Sequence, residues 1–224
     1  LMALSLVAMV STTALAGAKL KISDEAMMDL GYRIQVLGIQ SEENRDEEAG
    51  LDSMRDWKIR RARFRLKTVV NEHVWGFLQT DVGSDNKMVI KDAFIVFNAH
   101  PQWLSFYAGQ NMAPANRQNL TSSGALMAID RPGLAYKSLT WGARALHTFS
   151  NRTFGGTDSG LRSNVERDTG LTVFGSGALS DMASLKYYAG IYDGIQAAGE
   201  DDDRFTFRGQ LNFWDAEGSY YNSS

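Results

Sequence analysis

Arg61, Arg63, Arg65 and Lys67 recur at every second position between Trp57 and Thr68, with Ala62, Phe64 and Leu66 in the gaps. In an extended strand, a period of two sends the two sets to opposite sides. Arg204 to Asn212 repeats the pattern: Arg204, Thr206, Arg208, Gln210 and Asn212 alternate with Phe205, Phe207, Gly209, Leu211 and then Phe213. A row of guanidinium and ammonium groups attracts and orients anions. The oily row behind it needs apolar surroundings. If those surroundings are lipid, each arginine turned toward the bilayer midplane costs roughly 2–4 kcal/mol, so the cations have to face a wet lumen. A half-buried strand of a soluble sandwich has the same period, and one strand alone does not separate the two.

Other chemistry is thin. His73, His100 and His147 are far apart and form no metal-ligand spacing. No phosphate-cradling or dinucleotide glycine pattern follows a strand. The run Asp201-Asp202-Asp203 is expected to be a solvated loop. Neither catalysis nor a cofactor is expected, and the formal net charge of −3 lacks the basic surface that a nucleic-acid partner needs. The 224 residues contain no cysteine, which suits export into an oxidising compartment. Leu1 to Val10 is an uncharged apolar run that leads into Ala14-Leu15-Ala16, the pattern of a secretory leader with a small-x-small cleavage site. Residues 1–16 are expected to be an incomplete signal peptide, with the mature chain starting near Gly17.

The elements that would position these cations are segments of about ten residues, alternating in polarity and separated by turn residues, as in membrane barrel strands. They are expected at Leu30–Gln40, Trp57–Thr68, His73–Val82, Val89–Ala99, Trp103–Gln110, Asp168–Gly177, Leu185–Asp193 and Arg204–Asn212, with a last strand beginning near Ser219. Val89–Ala99 is apolar on both sides apart from Lys91, Asp92 and Asn98, and its orientation stays open. The connections between them alternate in length. Ser41–Asp56, Gly83–Met88, Asn111–Glu166 and Ile195–Asp203 are the longer set; Val70–Glu72, Ala99–Gln102, Leu179–Asp181 and Asp215–Gly218 are tight. Simple membrane barrels have that order, with short periplasmic turns and long outer loops. It holds only if Leu139–Phe149 is not a further strand, which makes 111–166 one long segment with structure of its own. Within it, Leu120–Asp130 is expected to form a short helix with Asn119 as cap. Trp57, Trp103, Tyr107, Trp214, Tyr220 and Tyr221 are placed near strand ends, where aromatic girdles belong.

Charge is uneven along the chain. Across Ser41–Asp56 seven carboxylates against two arginines leave −5. Across Asn111–Glu166 six cations against three carboxylates leave +3. An acidic outer loop with a basic inward loop fits an anion-attracting constriction, and either cluster also fits a plain solvated surface.

Several blocks together resemble the phosphate-selective porin O and P family. They are Arg60-Arg61-Ala62-Arg63, Lys91-Asp92-Ala93-Phe94, Ala108-Gly109-Gln110 running to Pro114, and Leu120-Thr121-Ser122-Ser123 followed by Ile129-Asp130-Arg131. Arg167-Asp168-Thr169-Gly170 closing on Phe174-Gly175, and Tyr188 to Gly194, complete the set. They cover most of residues 55–215. The resemblance implies an all-β, transmembrane antiparallel β-barrel of sixteen strands, of which about eight to nine stand in residues 17–224 as the N-terminal part of one porin domain. It implies a homotrimer in the outer membrane of a Gram-negative bacterium, in contact with lipid and lipopolysaccharide. It also implies that segment 111–166 folds inward as a constriction loop and that basic residues line the path. The expected function is passive diffusion of small hydrophilic, anionic, phosphate-like solutes. Arg61, Arg63, Arg65, Lys67 and Arg208 are expected on the lumen wall, and Arg117 and Arg131 near the constriction. A structural or adhesive barrel with a plugged lumen, and a secreted β-sandwich that binds or hydrolyses carbohydrate, are the alternatives.

Overall fold

A computed structural model of the chain describes residues 14–43, 52–82, 88–114, 117–122, 167–197 and 200–221. They form β1 (Ala14–Lys21), β2 (Met27–Glu43), β3 (Asp52–Val69), β4 (Val74–Val82), β5 (Met88–His100), β6 (Leu104–Met112), one helical turn α1 (Arg117–Leu120), β7 (Arg167–Ser180), β8 (Ala183–Ala197) and β9 (Glu200–Phe213). The nine strands make one antiparallel sheet in sequence order, so each strand pairs with its neighbours in the chain. Among the described residues, β1 and β9 each pair on one side only.

Eight of the expected strands form as β2 to β9. The ninth is β1, not a strand from Ser219. β1 begins at Ala14, so the expected leader boundary near Gly17 falls inside it, with Gly17 opposite Gly31. At the other end the chain bends after Phe213, and Tyr220 turns back to pack on the sheet with 4% exposure. A tyrosine in that cluster gains more contact than it would as an edge strand, because its ring lies 4.3 Å from Tyr107 and 5.1 Å from Tyr188.

One end of the sheet carries tight connections at 22–26, 70–73, 101–103 and 181–182. Their chemistry is local. Asn71 Oδ1 accepts from the backbone N–H groups of His73 and Val74 at 3.0 and 2.8 Å. His100 Nδ1 accepts from the N–H groups of Gln102 and Trp103 at 3.3 and 3.2 Å. The ring of His73 reaches the Asn98 carbonyl, Nδ1 to O 3.1 Å, joining two adjacent turns. These two histidines therefore serve as turn caps.

The opposite end departs from expectation at two connections. β2 and β3 pair as far as Glu43↔Asp52, so Ser41–Glu43 and Asp52–Asp56 of the expected acidic loop Ser41–Asp56 are strand. β8 and β9 continue past a bulge at Tyr192/Ile195, pairing Ile195 with Asp202 and Ala197 with Glu200, so only residues 198–199 link them. Asp201, Asp202 and Asp203 thus belong to β9 and not to a loop. β6 pairs directly with β7 from Ser105↔Phe174 to Met112↔Arg167. The segment between them is therefore a connection between adjacent strands, as the alternation requires. Leu139–Phe149 lies outside the described residues, as does all but the start of the helix expected at Leu120–Asp130. The helical turn that is described comes earlier, and Asn119 lies inside it, not at its cap.

The two faces of the sheet differ. One exposes Tyr32, Phe64, Ile95, Phe97, Leu171, Ile191, Phe205, Phe207, Leu211 and Phe213, with Phe207 at 80%. The other is covered in part by 112–114, 117–121 and 217–221 and holds Phe94, Val96, Tyr107, Phe174 and Tyr188. This orients β5: Asp92, Phe94 and Val96 face the covered side, and Ile95 and Phe97 the bare one. It also corrects the girdle expectation for Tyr107, Tyr220 and Tyr221, which pack on the covered face. Trp57 and Trp214 remain exposed, at 70% and 81%. Gly109, at φ 126, lets β6 press on β5, because a Cβ there would meet the Ala93 carbonyl and Phe94 Cα.

Candidate functional site

On the covered face the side chains sort along the strands. Toward the tight turns lies an aromatic row drawn from β4 to β8. Trp75 meets Phe94 and Tyr107 edge-on at 5.9 and 5.8 Å, and Phe77 lies 5.5 Å from Phe94. Tyr107 leads on to Phe174 at 6.0 Å, and Phe174 to Tyr188 at 5.0 Å. Toward the opposite end lies an ionic belt. Arg63 Nε contacts Asp81 Oδ2 at 2.8 Å. Arg167 grips Asp92 with two nitrogens at 2.9 and 3.2 Å. Arg204 stands 3.6 Å from Asp168.

Alternation puts the cations of β3 here as expected, since Arg63 is opposite Asp81, Arg65 opposite Gln79 and Lys67 opposite Phe77. Their surroundings differ. Arg61 is nearly buried and donates from Nη1 to Gln35 Oε1 at 2.7 Å. Arg63 is held by Asp81, which offsets much of its pull on a mobile anion. Arg65 is exposed, and its register neighbours are Gly31 and Gln79. Lys67 sets its ammonium 4.7 Å from the centre of the Trp75 ring. Arg208 donates to Gln210 at 2.9 Å. Arg131 lies outside the described residues.

Arg63 and Arg65 share a cavity of about 280 Å³ with two arginines that the sequence reading did not single out, Arg33 and Arg167. Arg33 sits directly across from Arg63 in the β2–β3 register. Its alternation with Tyr32 and Ile34 was readable in the sequence; its pairing partner was not. Phe77 and Met112 give the same cavity an apolar side. Gly31 is what lets Arg65 lie across β2, because any Cβ at that position would run into the Arg65 side chain. Gly31→Val should therefore drive Arg65 out of the cavity while the strand, which favours valine, stays formed. Faster modification of Arg65 by an arginine-specific dicarbonyl reagent, with unchanged far-ultraviolet dichroism, is the expected result.

Arg117 is not in that cavity. It forms an ion pair with Glu217 in the segment after β9. The other Glu217 oxygen accepts from Gln210 Nε2 at 2.7 Å, and Gln210 in turn accepts from Arg208. Burial alone would raise the Glu217 carboxyl, but the hydrogen bonds from Arg117 and Gln210 and the charges of Arg117 and Lys186 outweigh it and hold it below its ordinary value. A depressed carboxyl stabilises the folded state above its unfolded value and loses that contribution as pH falls through the folded one. Acidification below the ordinary carboxylate range should therefore release segment 214–221 from α1. Near-ultraviolet dichroism of the tyrosine cluster reports it: the wild type should show an acid transition that Glu217→Gln lacks.

Among the described residues, no group of three or more His, Cys, Asp or Glu side chains could hold a metal ion. The chain matches no protein-family model, no curated protein and no solved structure.

Proposed function

We propose that this sheet is part of the wall of an outer-membrane β-barrel that lets small hydrophilic anions diffuse passively. One observation carries the reading. A nine-stranded sheet leaves a continuous row of Phe, Leu, Ile and Tyr bare on one face and carries arginines on the other. Water on both sides would leave the first face unsatisfied; lipid on one side and channel water on the other suits both. The dimensions agree. Phe205 to Phe213 spans eight residue steps, ~27 Å along a strand at ~3.4 Å each, or ~20 Å of height at a tilt near 40°, close to the ~25 Å apolar band of such barrels.

The finer features belong to the same proposal. In lipid the open edges of β1 and β9 need partners, because unpaired backbone groups there are costly. The sixteen-strand total implied by the resemblance to phosphate-selective porins would supply closure, and the homotrimer it also implies would assemble barrels already closed. The inward run of Met112, Ala113, Leu120 and Thr121, all buried against the covered face, supports a constricting role for 111–166.

Planar-bilayer recording tests it. The full protein should give discrete conductance steps and a reversal potential in a salt gradient that marks anion preference. Loss of that preference is expected from neutralising Arg33 with Arg65, more than from neutralising Arg63, whose charge Asp81 offsets. Absence of steps would overturn the channel. A second reading, a plugged barrel, is favoured by Tyr220, Tyr221 and α1 lying on the covered face. It predicts heat-modifiable gel migration without conductance.

A further inference from the structure

We propose that Tyr220 is a tethered stand-in for a dissolved ligand: the slot it fills on the covered face binds small para-substituted phenols with a carbonyl on the side arm, and such a solute competes with segment 214–221 for it. The inference deepens the reading above and rests on this face being open to dissolved solutes.

The slot is built by paired strands and does not depend on its occupant. Tyr107 of β6, Phe174 of β7 and Tyr188 of β8 form its walls. The strand register fixes them, with Phe174 opposite Tyr188 and Tyr107 opposite Thr172. The Tyr220 ring lies 4.3 Å from Tyr107 at an angle of 31°, 5.4 Å from Phe174, and 5.1 Å from Tyr188 in an edge-on contact. Its hydroxyl donates to the Met112 carbonyl at 3.1 Å and stands 3.5 Å from Thr172 Oγ1. Its own carbonyl accepts from the Tyr188 hydroxyl at 2.7 Å. Ring, hydroxyl and carbonyl are each met by a group of matching chemistry. A ring without the hydroxyl gives up the bond to the Met112 carbonyl in a buried place, where an unmet acceptor is costly.

The occupant is loosely tied. Residues 214–216, 218 and 219 are exposed, while Glu217, Tyr220 and Tyr221 turn toward the sheet. Among the described residues, no backbone–backbone hydrogen bond joins 216–221 to a strand. The segment leaves β9 through Trp214 at φ 66, a left-handed conformation that tryptophan rarely adopts. It can therefore lift with little loss of backbone bonding, and an incoming phenol replaces the side-chain contacts that Tyr220 gives up.

Isothermal titration of the full, detergent-folded protein tests this with N-acetyl-tyrosinamide and with N-acetyl-phenylalaninamide, which lacks only the hydroxyl. The wild type should bind the tyrosine compound saturably and at least tenfold more tightly than the phenylalanine one. Apparent affinity scales with the fraction of protein whose site is open, so Glu217→Gln, which loosens the segment without touching the slot, should tighten binding about threefold. Tyr220→Ala, which vacates the slot, should tighten it at least tenfold. Equal binding of the two compounds would overturn the proposal. So would binding by Tyr220→Ala with none by the wild type or Glu217→Gln, since that marks a hole cut into a core. If Tyr220→Ala fails to fold, the wild type and Glu217→Gln decide. Conductance without binding of the tyrosine compound sinks the slot and leaves the channel; binding without conductance does the reverse.

Discussion

Phe207→Arg should cost roughly 2–4 kcal/mol of folding stability in a lipid bilayer. Phe207 is 80% exposed near the middle of the outward row of β9, between Phe205 and Leu211. In water a guanidinium there would be harmless, since surface substitutions away from special features usually stay within about 0.5 kcal/mol. In hydrocarbon the charge has no solvation. The two environments therefore give different outcomes for the same variant, which is why the test has force. Leu211→Arg and Phe64→Arg should behave alike, and Phe207→Leu should be mild because the face stays apolar. Urea titration of folding into vesicles measures all four. A neutral or stabilising result for Phe207→Arg and Leu211→Arg would mean that water, not lipid, meets this face.

The second large effect is expected inside. Asp92 and Arg167 bury their side chains to 5% and 4% exposure and share two hydrogen bonds across the covered face. Removing one member leaves the other's charge poorly solvated, which costs ~3–5 kcal/mol for a buried pair. Asp92→Ala should lose that much in the same titration. Asp92→Leu combined with Arg167→Met should recover most of it, since an apolar pair of similar volume removes both desolvation penalties. Asp81→Ala should cost less, because Arg63 and Asp81 are more exposed, at 14% and 9%, and water can take over part of the partnership. If the double variant is as unstable as Asp92→Ala, the pair holds the sheet by shape and not by charge.

How far the residues foretold this architecture depends on the scale of the question. Strict alternation located β3 and β9 and, within one residue, their C-terminal ends, because a period of two is a local property that survives in any sheet; their starts at Asp52 and Glu200 came earlier than expected, in acidic stretches that read as loop. Alternation in connection length anticipated the direct β6–β7 pairing, which is a global property. Val89–Ala99 could not be oriented because both of its rows are apolar. Only its neighbours decide, as Phe94 turns toward Phe77 and Tyr107 while Phe97 stacks 6.4 Å from Phe106 on the other side. Tyr220 was misplaced for a related reason. A tyrosine near a strand end fits a girdle by type, and nothing local reveals a pocket of other tyrosines one bend away. For the site, the cations of β3 were legible and their differing fates were not. Asp81 claims Arg63, Trp75 sits under Lys67, and Gly31 gives Arg65 room, and each of these needs a cross-strand register. Arg117 was expected near the constriction, and its pairing with Glu217, a carboxylate beyond β9, had no local signal.

Sequence-ordered pairing also shapes how the sheet comes together. Nearly every strand finds its partner across a handful of residues, so zippering proceeds with little chain entropy lost at each step. The junction between β6 and β7 is different, because its closing loop runs over residues 113–166. By the logarithmic dependence of closure entropy on length, a loop of that size adds about 2 kcal/mol over a four-residue turn. Two leaves, β1–β6 and β7–β9, should therefore form as separate units before their seam, from Ser105↔Phe174 to Met112↔Arg167, closes.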